Sequence, residues 1–145
     1  MNVKEVMTAD PACCTADTPL QEVAKMMEEC DCGCIPVVDN QQNKKPVGMI
    51  TDRDITIRTV ASGKNPLDLT AADAMTTNAV TVTPETSLED CCNLMEEHQI
   101  RRIAVVDNNG ACCGMIAQAD IAVNADSRKT AEVVQEVSKG AGSSA

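Results

Sequence analysis

A hydroxyl and a carboxylate three residues apart are the groups in this sequence best placed to hold a ligand. They are Thr51 and Asp54, within the octet Gly48-Met49-Ile50-Thr51-Asp52-Arg53-Asp54-Ile55. Where a strand gives way to a helix, such a hydroxyl can donate to or accept from a sugar or phosphate. The carboxylate one turn on can accept from both hydroxyls of a ribose, in charge-assisted bonds of the stronger class. Free backbone N–H groups at the helix start favour an anion. Gly48, lacking a side chain, lets a ligand or another backbone come close. Thr-x-x-Asp also has the form of a capping box, with Asp54 in the first turn favourable to the helix dipole. The sequence leaves both readings open: a cap alone, or a cap that also touches a ligand.

The octet occurs twice. Residues 114–121 read Gly-Met-Ile-Ala-Gln-Ala-Asp-Ile, so Ala117 stands for Thr51 and Ala119 for Arg53. The duplication extends over nearly the whole chain. At an offset of 68, Val6-Met7-Thr8 falls on Ala74-Met75-Thr76, and Ile35-Pro36-Val37-Val38-Asp39 falls on Ile103-Ala104-Val105-Val106-Asp107. Past a loop that is two residues longer in the first copy, the offset becomes 66 and the octets align. Residues 3–57 thus match 71–123, and fixed-period self-similarity marks a repeat architecture.

These elements must position the octets. Short apolar runs around Cys13-Cys14 and Val80-Thr81-Val82 read as strands. The spacing of Leu20, Val23, Met27 and Cys30 predicts a helix, as does that of Leu88, Cys91, Cys92 and Met95. Thr18 and Ser87 are the candidate caps. The apolar runs ending at Asp39 and Asp107, and those running into each octet, read as strands, and a helix follows each octet. The unit is β-α-β-β-α, giving an α/β (α+β) chain of two repeats expected to pack about a pseudo-twofold axis. The expected organisation is repeat one over 1–68, repeat two over 69–127, a C-terminal helix over 128–139 and a disordered tail over 140–145.

The leading Val-Met-Thr, the Ile-Pro-Val-Val-Asp strand and the complete first octet resemble the CBS domain, and two copies in tandem resemble a Bateman module. The run from His98 to Asp107, with the tail at 129–138, is similar to small stand-alone bacterial CBS-pair proteins, including those of the hypoxic-response type. The resemblance implies a regulatory module that binds adenosine-containing ligands (AMP, ADP, ATP, S-adenosylmethionine, dinucleotides) in clefts between the repeats, and a homodimer of modules. It implies that Thr51 and Asp54 are ribose-phosphate contacts and that Arg101 and Arg102 reach phosphates. Gly48, Arg53, Ile35, Pro36, Gly114, Gln118 and Asp120 complete the expected ligand-binding set. In the second copy Ala117 can neither cap nor bond a ligand, Asp120 can still hold a ribose, and Ala104 replaces Pro36. In the first copy Gly33 and Cys34 stand where the arginines would be. Two unequal sites are therefore expected. Adjacent arginines in a strand point to opposite faces, so at most one serves a given cleft; pairing with Glu96 or Glu97 is the alternative role for them.

Composition narrows the rest. The 145 residues carry a net charge of −10 and no basic stripe, which argues against nucleic acid as a partner. There is no Phe, Tyr or Trp, so no aromatic clamp can grip a base, and the core must use aliphatic residues, eight Met and nine Cys. Several cysteines align with apolar residues of the other copy: Cys91 and Cys92 with Val23 and Ala24, Cys113 with Val47, Cys14 with Val82, Cys32 with Ile100. That is the behaviour of a small hydrophobe. No Cys-x2-Cys pair is present, so no standard zinc site is expected. Cys30, Cys32 and Cys34 would share one face of a strand, leaving a thiol-based metal or redox sensor as an alternative. The remaining alternative is a structural or protein-interaction dimer with vestigial clefts. No signal-peptide core or membrane span is found, and free thiols fit a reducing cytoplasm. One His without a nucleophile partner and no phosphate-binding loop argue against an enzyme. No cofactor is required by this reading, and an unknown regulated protein is a further expected partner.

Overall fold

The repeat pattern translates directly into paired elements, and the computed structural model describes residues 1–77 and 80–124. In chain order they are β1 (Thr8–Ala9), β2 (Cys14–Thr15), α1 (Leu20–Cys30), β3 (Cys34–Val38), β4 (Pro46–Thr51), α2 (Asp52–Ile55), α3 (Ala71–Ala74), β5 (Thr76–Thr77), β6 (Thr81–Val82), α4 (Leu88–His98), β7 (Arg102–Val106), β8 (Cys112–Ala117) and α5 (Gln118–Asn124). The chain is mixed α+β, with the expected β-α-β-β-α order in each repeat. The expected helix over 128–139 and tail over 140–145 lie outside the described residues.

Contacts divide the chain into two units. Among the described residues one contains 11–77, and the other joins Met1–Asp10 to 80–124. The first unit holds a sheet in the order β2-β3-β4-β5, and the second a sheet in the order β1-β8-β7-β6. In each, a helix carries the chain across to a parallel neighbour, and a hairpin then returns it antiparallel. The outer strands β1 and β5 are not anticipated from the sequence. Each is two exposed residues long, too short and too polar to show a period.

The apolar stripes of the helices build the cores. Leu20, Val23 and Met27 of α1 pack with Cys14, Ile35, Val37, Ile50, Ala71 and Ala74. Leu88, Cys91, Cys92 and Met95 of α4 pack with Val3, Val82, Ile103, Val105, Ile116 and Ile121. Some expectations fail here and one holds. Thr18 does not cap α1, whose N-cap is Pro19; its hydroxyl instead accepts from the Thr15 N–H at 3.0 Å, holding the turn before the helix. Ser87 does cap α4, accepting from the Asp90 N–H at 3.0 Å. Cys30 and Cys32 are exposed and are not core residues, whereas Cys113 packs half-buried against its core although its counterpart Val47 is exposed. After Ile55 the helix that begins as α2 widens into a π-turn over Thr56–Val60, where the Thr56 and Thr59 hydroxyls donate back to the Asp52 and Ile55 carbonyls.

Each octet glycine sits where another strand crosses. A Cβ on Gly48 would strike the backbone carbonyl oxygen of Thr76 and come within 2.9 Å of Met75 Cε. A Cβ on Gly114 would meet Met7 Sδ at 2.5 Å and the Thr8 carbonyl oxygen at 3.1 Å. The obstacle at Gly48 is backbone, whereas at Gly114 it is chiefly the movable end of a methionine. Gly48→Ala should therefore destabilise the protein by about 2–3 kcal/mol, within the range for overpacking, and Gly114→Ala by clearly less. Urea unfolding followed by circular dichroism checks the order.

Burial also sets a pH dependence. Desolvation pushes the Cys14 thiol up to about 11 and the Cys91 thiol to about 12. In the unfolded chain such thiols ionise near pH ~8.5. Their contribution to stability is fully present below that pH and is lost as pH rises toward 11–12, at about 1.4 kcal/mol per unit for each group. Cys91→Val, which installs the residue found at the aligned position Val23, should shrink the fall in urea midpoint between pH 8 and 10.5.

Candidate functional site

The first octet makes a corner that is closed by reciprocal bonds. β4 ends at Thr51, whose extended backbone makes it the N-cap of α2. Its hydroxyl accepts from the Asp54 N–H at 3.0 Å, and the Asp54 carboxylate accepts from the Thr51 N–H at 3.0 Å. Both residues are 8% exposed. The capping box is therefore formed, and the Thr51 hydroxyl retains its own proton to donate. A third bond fixes the corner: the Asp52 N–H donates to the Gly33 carbonyl at 3.0 Å, tying α2 to the turn before β3.

The neighbouring candidates follow from the register of β3 against β4. Ile35 lies opposite Ile50 and Pro36 opposite Met49. Both are buried, Ile35 among the core residues and Pro36 on the other face by strand alternation. Arg53 is exposed, and its N–H donates to Asp52 Oδ1 at 2.8 Å. What comes close at Gly48 is β5. Sequence reasoning missed Arg58, whose guanidinium donates to the carbonyls of Ala74, at 3.0 Å, and Met75. It pins the segment that leads into β5. Its only sequence signal was a cation in the helix expected to follow the octet.

The second octet makes half of the same corner. Ala117 has no hydroxyl, yet its N–H still donates to Asp120 Oδ2, at 2.8 Å. The Gln118 N–H donates to the Arg101 carbonyl at 2.7 Å, which reproduces the Asp52–Gly33 bond. Arg101 and Arg102 are half-buried, Arg102 opposite Ala117 in the hairpin. Two donors here are buried without an acceptor among the described residues: Arg101 Nε and Gln118 Nε2. An unsatisfied buried donor costs about 1–3 kcal/mol, so each is a group with a strong preference for an incoming oxygen. Gly114 lies against Met7 and Thr8.

The expected thiol cluster does not form as written. Cys30 ends α1, Asp31 turns the chain in the left-handed region, and only Cys34 belongs to a strand. Cys34 is buried beside Met49, whereas Cys30 and Cys32 are exposed. Among the described residues no three His, Cys, Asp or Glu side chains are grouped to hold a metal ion.

The CBS domain profile matches residues 3–58 and 71–125. The chain belongs to the CBS domain family. It is a CBS pair, a regulatory module. It is 40% identical over 130 residues to the CBS domain-containing protein YhcV of Bacillus subtilis, covering 90% of this chain and 89% of that one. The crystal structure of Hypoxic Response Protein I with two coordinated zinc ions is 31% identical, with a TM-score of 0.74 over 87% of this CBS pair and all of that chain. The CBS domain pair of protein MJ0100, in complex with 5′-methylthioadenosine and S-adenosyl-L-methionine, is 25% identical with a TM-score of 0.73, over 85% and 98% of the two chains. The likeness to the hypoxic-response type is thus met in both sequence and fold. Among the described residues no helix of this CBS pair is long and apolar enough to cross a membrane.

The two corners differ by one hydroxyl. Thr51→Ala should cost about 1 kcal/mol, the usual value for loss of an N-cap side chain. Ala117→Thr should restore the missing half of the second box and stabilise by a similar amount. Urea midpoints of the two single variants and the double variant check both signs and their additivity.

Proposed function

We propose that this CBS pair senses an adenosyl ligand, with AMP, ADP, ATP and S-adenosylmethionine as the candidate class, and that its two octet corners bind unequally. The observation that carries the proposal is the pair of buried donors without acceptors at the second corner, Arg101 Nε and Gln118 Nε2. Donors so placed suit the oxygens of a phosphate or carboxylate. Asp120 beside them keeps a carboxylate for a sugar hydroxyl. At the first corner Thr51 and Asp54 are already oriented by their mutual bonds, so recognising a ribose requires no rearrangement of either side chain. The adenosyl ligands of the MJ0100 pair support this ligand class. With no aromatic residue in the chain, the adenine must lie against aliphatic side chains.

The reading extends to assembly as a homodimer and to control of a partner protein by the bound ligand. A second reading is favoured by one observation, the completed capping box: the first corner then serves the fold alone, and the chain is an interaction module.

A dye-based thermal-shift panel of AMP, ADP, ATP, S-adenosylmethionine and cyclic di-AMP at millimolar concentration separates the two. A ligand at a hundred times its Kd stabilises by about 2.7 kcal/mol, which moves Tm by several degrees. At least one member should produce such a shift. Asp54→Ala and Arg101→Ala should each reduce it, measured from the variant's own unliganded Tm. No shift with any member, or shifts that survive both substitutions, would leave the interaction-module reading, which light scattering then examines through the dimer.

A further inference from the structure

Seven of the nine cysteines are buried or half-buried, while Cys30 and Cys32 are exposed. They flank Asp31, whose left-handed backbone (φ 51°) turns the chain sharply at the end of α1. Residues two apart in a chain cannot separate their Cα atoms by more than about 7 Å, and a disulfide spans about 4.4–6.8 Å. The turn is closed by the Asp31 N–H to the Glu28 carbonyl at 3.3 Å and the Cys32 N–H to the Met27 carbonyl at 3.0 Å. Both thiols thus sit on one short, solvent-facing turn.

We propose that Cys30 and Cys32 form a redox-active dithiol that closes to a disulfide by exchange with a low-molecular-weight disulfide such as oxidised glutathione. The thiolate of Cys30 attacks one sulfur of the small disulfide, forming a mixed disulfide and expelling one small thiolate. The thiolate of Cys32 then attacks the Cys30 sulfur, forms the Cys30–Cys32 bond and expels the second. Two protein thiols are oxidised and one small disulfide is reduced to two thiols, the two protons passing through solvent from the protein thiols to the expelled thiolates.

Cys32 is suited to the second step. Partial burial raises its thiol first, the neighbouring Cys30 and Asp31 raise it further, and a bond to the Cys34 carbonyl opposes them. It therefore holds its proton more tightly than an ordinary thiol, and it stands beside the sulfur it must attack. Cys14 and Cys91 are shielded by burial and hold their protons far above neutral pH. Modification falls one residue before Gly33, whose carbonyl holds the start of α2.

The test uses the full, reduced chain incubated with oxidised glutathione at pH 8, quenched in acid and alkylated after unfolding. Of nine thiols, two should be lost to alkylation, leaving seven, and fragmentation of the 26–44 peptide should place the link between Cys30 and Cys32 with Cys34 alkylated. Cys30→Ser and Cys32→Ser should each stop at one glutathione adduct on the remaining thiol, with unchanged circular dichroism. A wild-type chain that accumulates glutathione adducts without closing, that closes another pair first, or that keeps all nine thiols would overturn the proposal.

Discussion

The close crossing at Gly48 is the contact on which the first unit depends. Because that residue has no side chain, the carbonyl of Thr76 can occupy the space a Cβ would fill, and β5 can lie against β4 with Gly48 opposite Thr77. Arg58 holds the carbonyls of Ala74 and Met75 from the other side, so the incoming strand is gripped before it pairs. The same demand recurs at Gly114, where Met7 and Thr8 arrive with β1. The octet is duplicated because both of its ends serve this architecture. Its glycine admits the crossing strand, and its final Asp accepts the N–H of the last strand residue, at Asp54 and at Asp120 alike. Ile50 and Ile116 fill the two cores in between.

That division explains what the sequence could disclose. The repeat, the helix faces and the strand-to-helix corners were legible because each is written in several residues with a fixed spacing. Leu88, Cys91, Cys92 and Met95 all reached the core as their spacing required. β1 and β5 were illegible because they owe their strand state to the glycine opposite them and not to their own residues. The cap of α1 was misread for a related reason. Thr18 lies one residue too early, and its hydroxyl is taken by the Thr15 N–H, just as that of Thr86 is taken by the Thr83 N–H. The two helices therefore start differently although their preceding turns are alike.

The cysteines show where alignment misleads. Matching a cysteine to an apolar residue identified core positions correctly at Cys14 and Cys91, whose partners Val82 and Val23 are buried. At the 47/113 pair it held in one copy only, since Cys113 packs half-buried against its core whereas Val47 is exposed. Side-chain type is a guide to burial only when the aligned position faces the core in both copies. The alternation expected for Cys30, Cys32 and Cys34 failed for a different reason, since a left-handed residue at Asp31 ends a helix there and no strand runs through all three.

The positions that vary between the octets lie at the strand-to-helix corner, and the position bonded to that corner from before the preceding strand varies with them. In the first corner Gly33 leaves room for the Asp52 carboxylate, whose oxygens lie 3.2–3.3 Å from where a Cβ would stand. A Cβ at Gly33 would require that carboxylate to give way by a few tenths of an ångström. In the second corner the paired positions hold Arg101 and Gln118, so a cation and an amide replace an empty space and an anion. The backbone bond between the two positions is unchanged, at 3.0 and 2.7 Å. Substitution has thus altered the field of the corner without moving its frame. Asp52 and Asp54 place two carboxylates at the first corner, a local field that favours donors over anions. Arg101 and Gln118 place donors at the second corner, beside the Asp120 carboxylate, despite the protein's charge of −10. Local charge governs here because fields from exposed groups more than about 8–10 Å away are screened by physiological salt. The two corners thus share the bond between their paired positions and the Asp carboxylate, and differ in the Thr51 hydroxyl and in the charge at those paired positions.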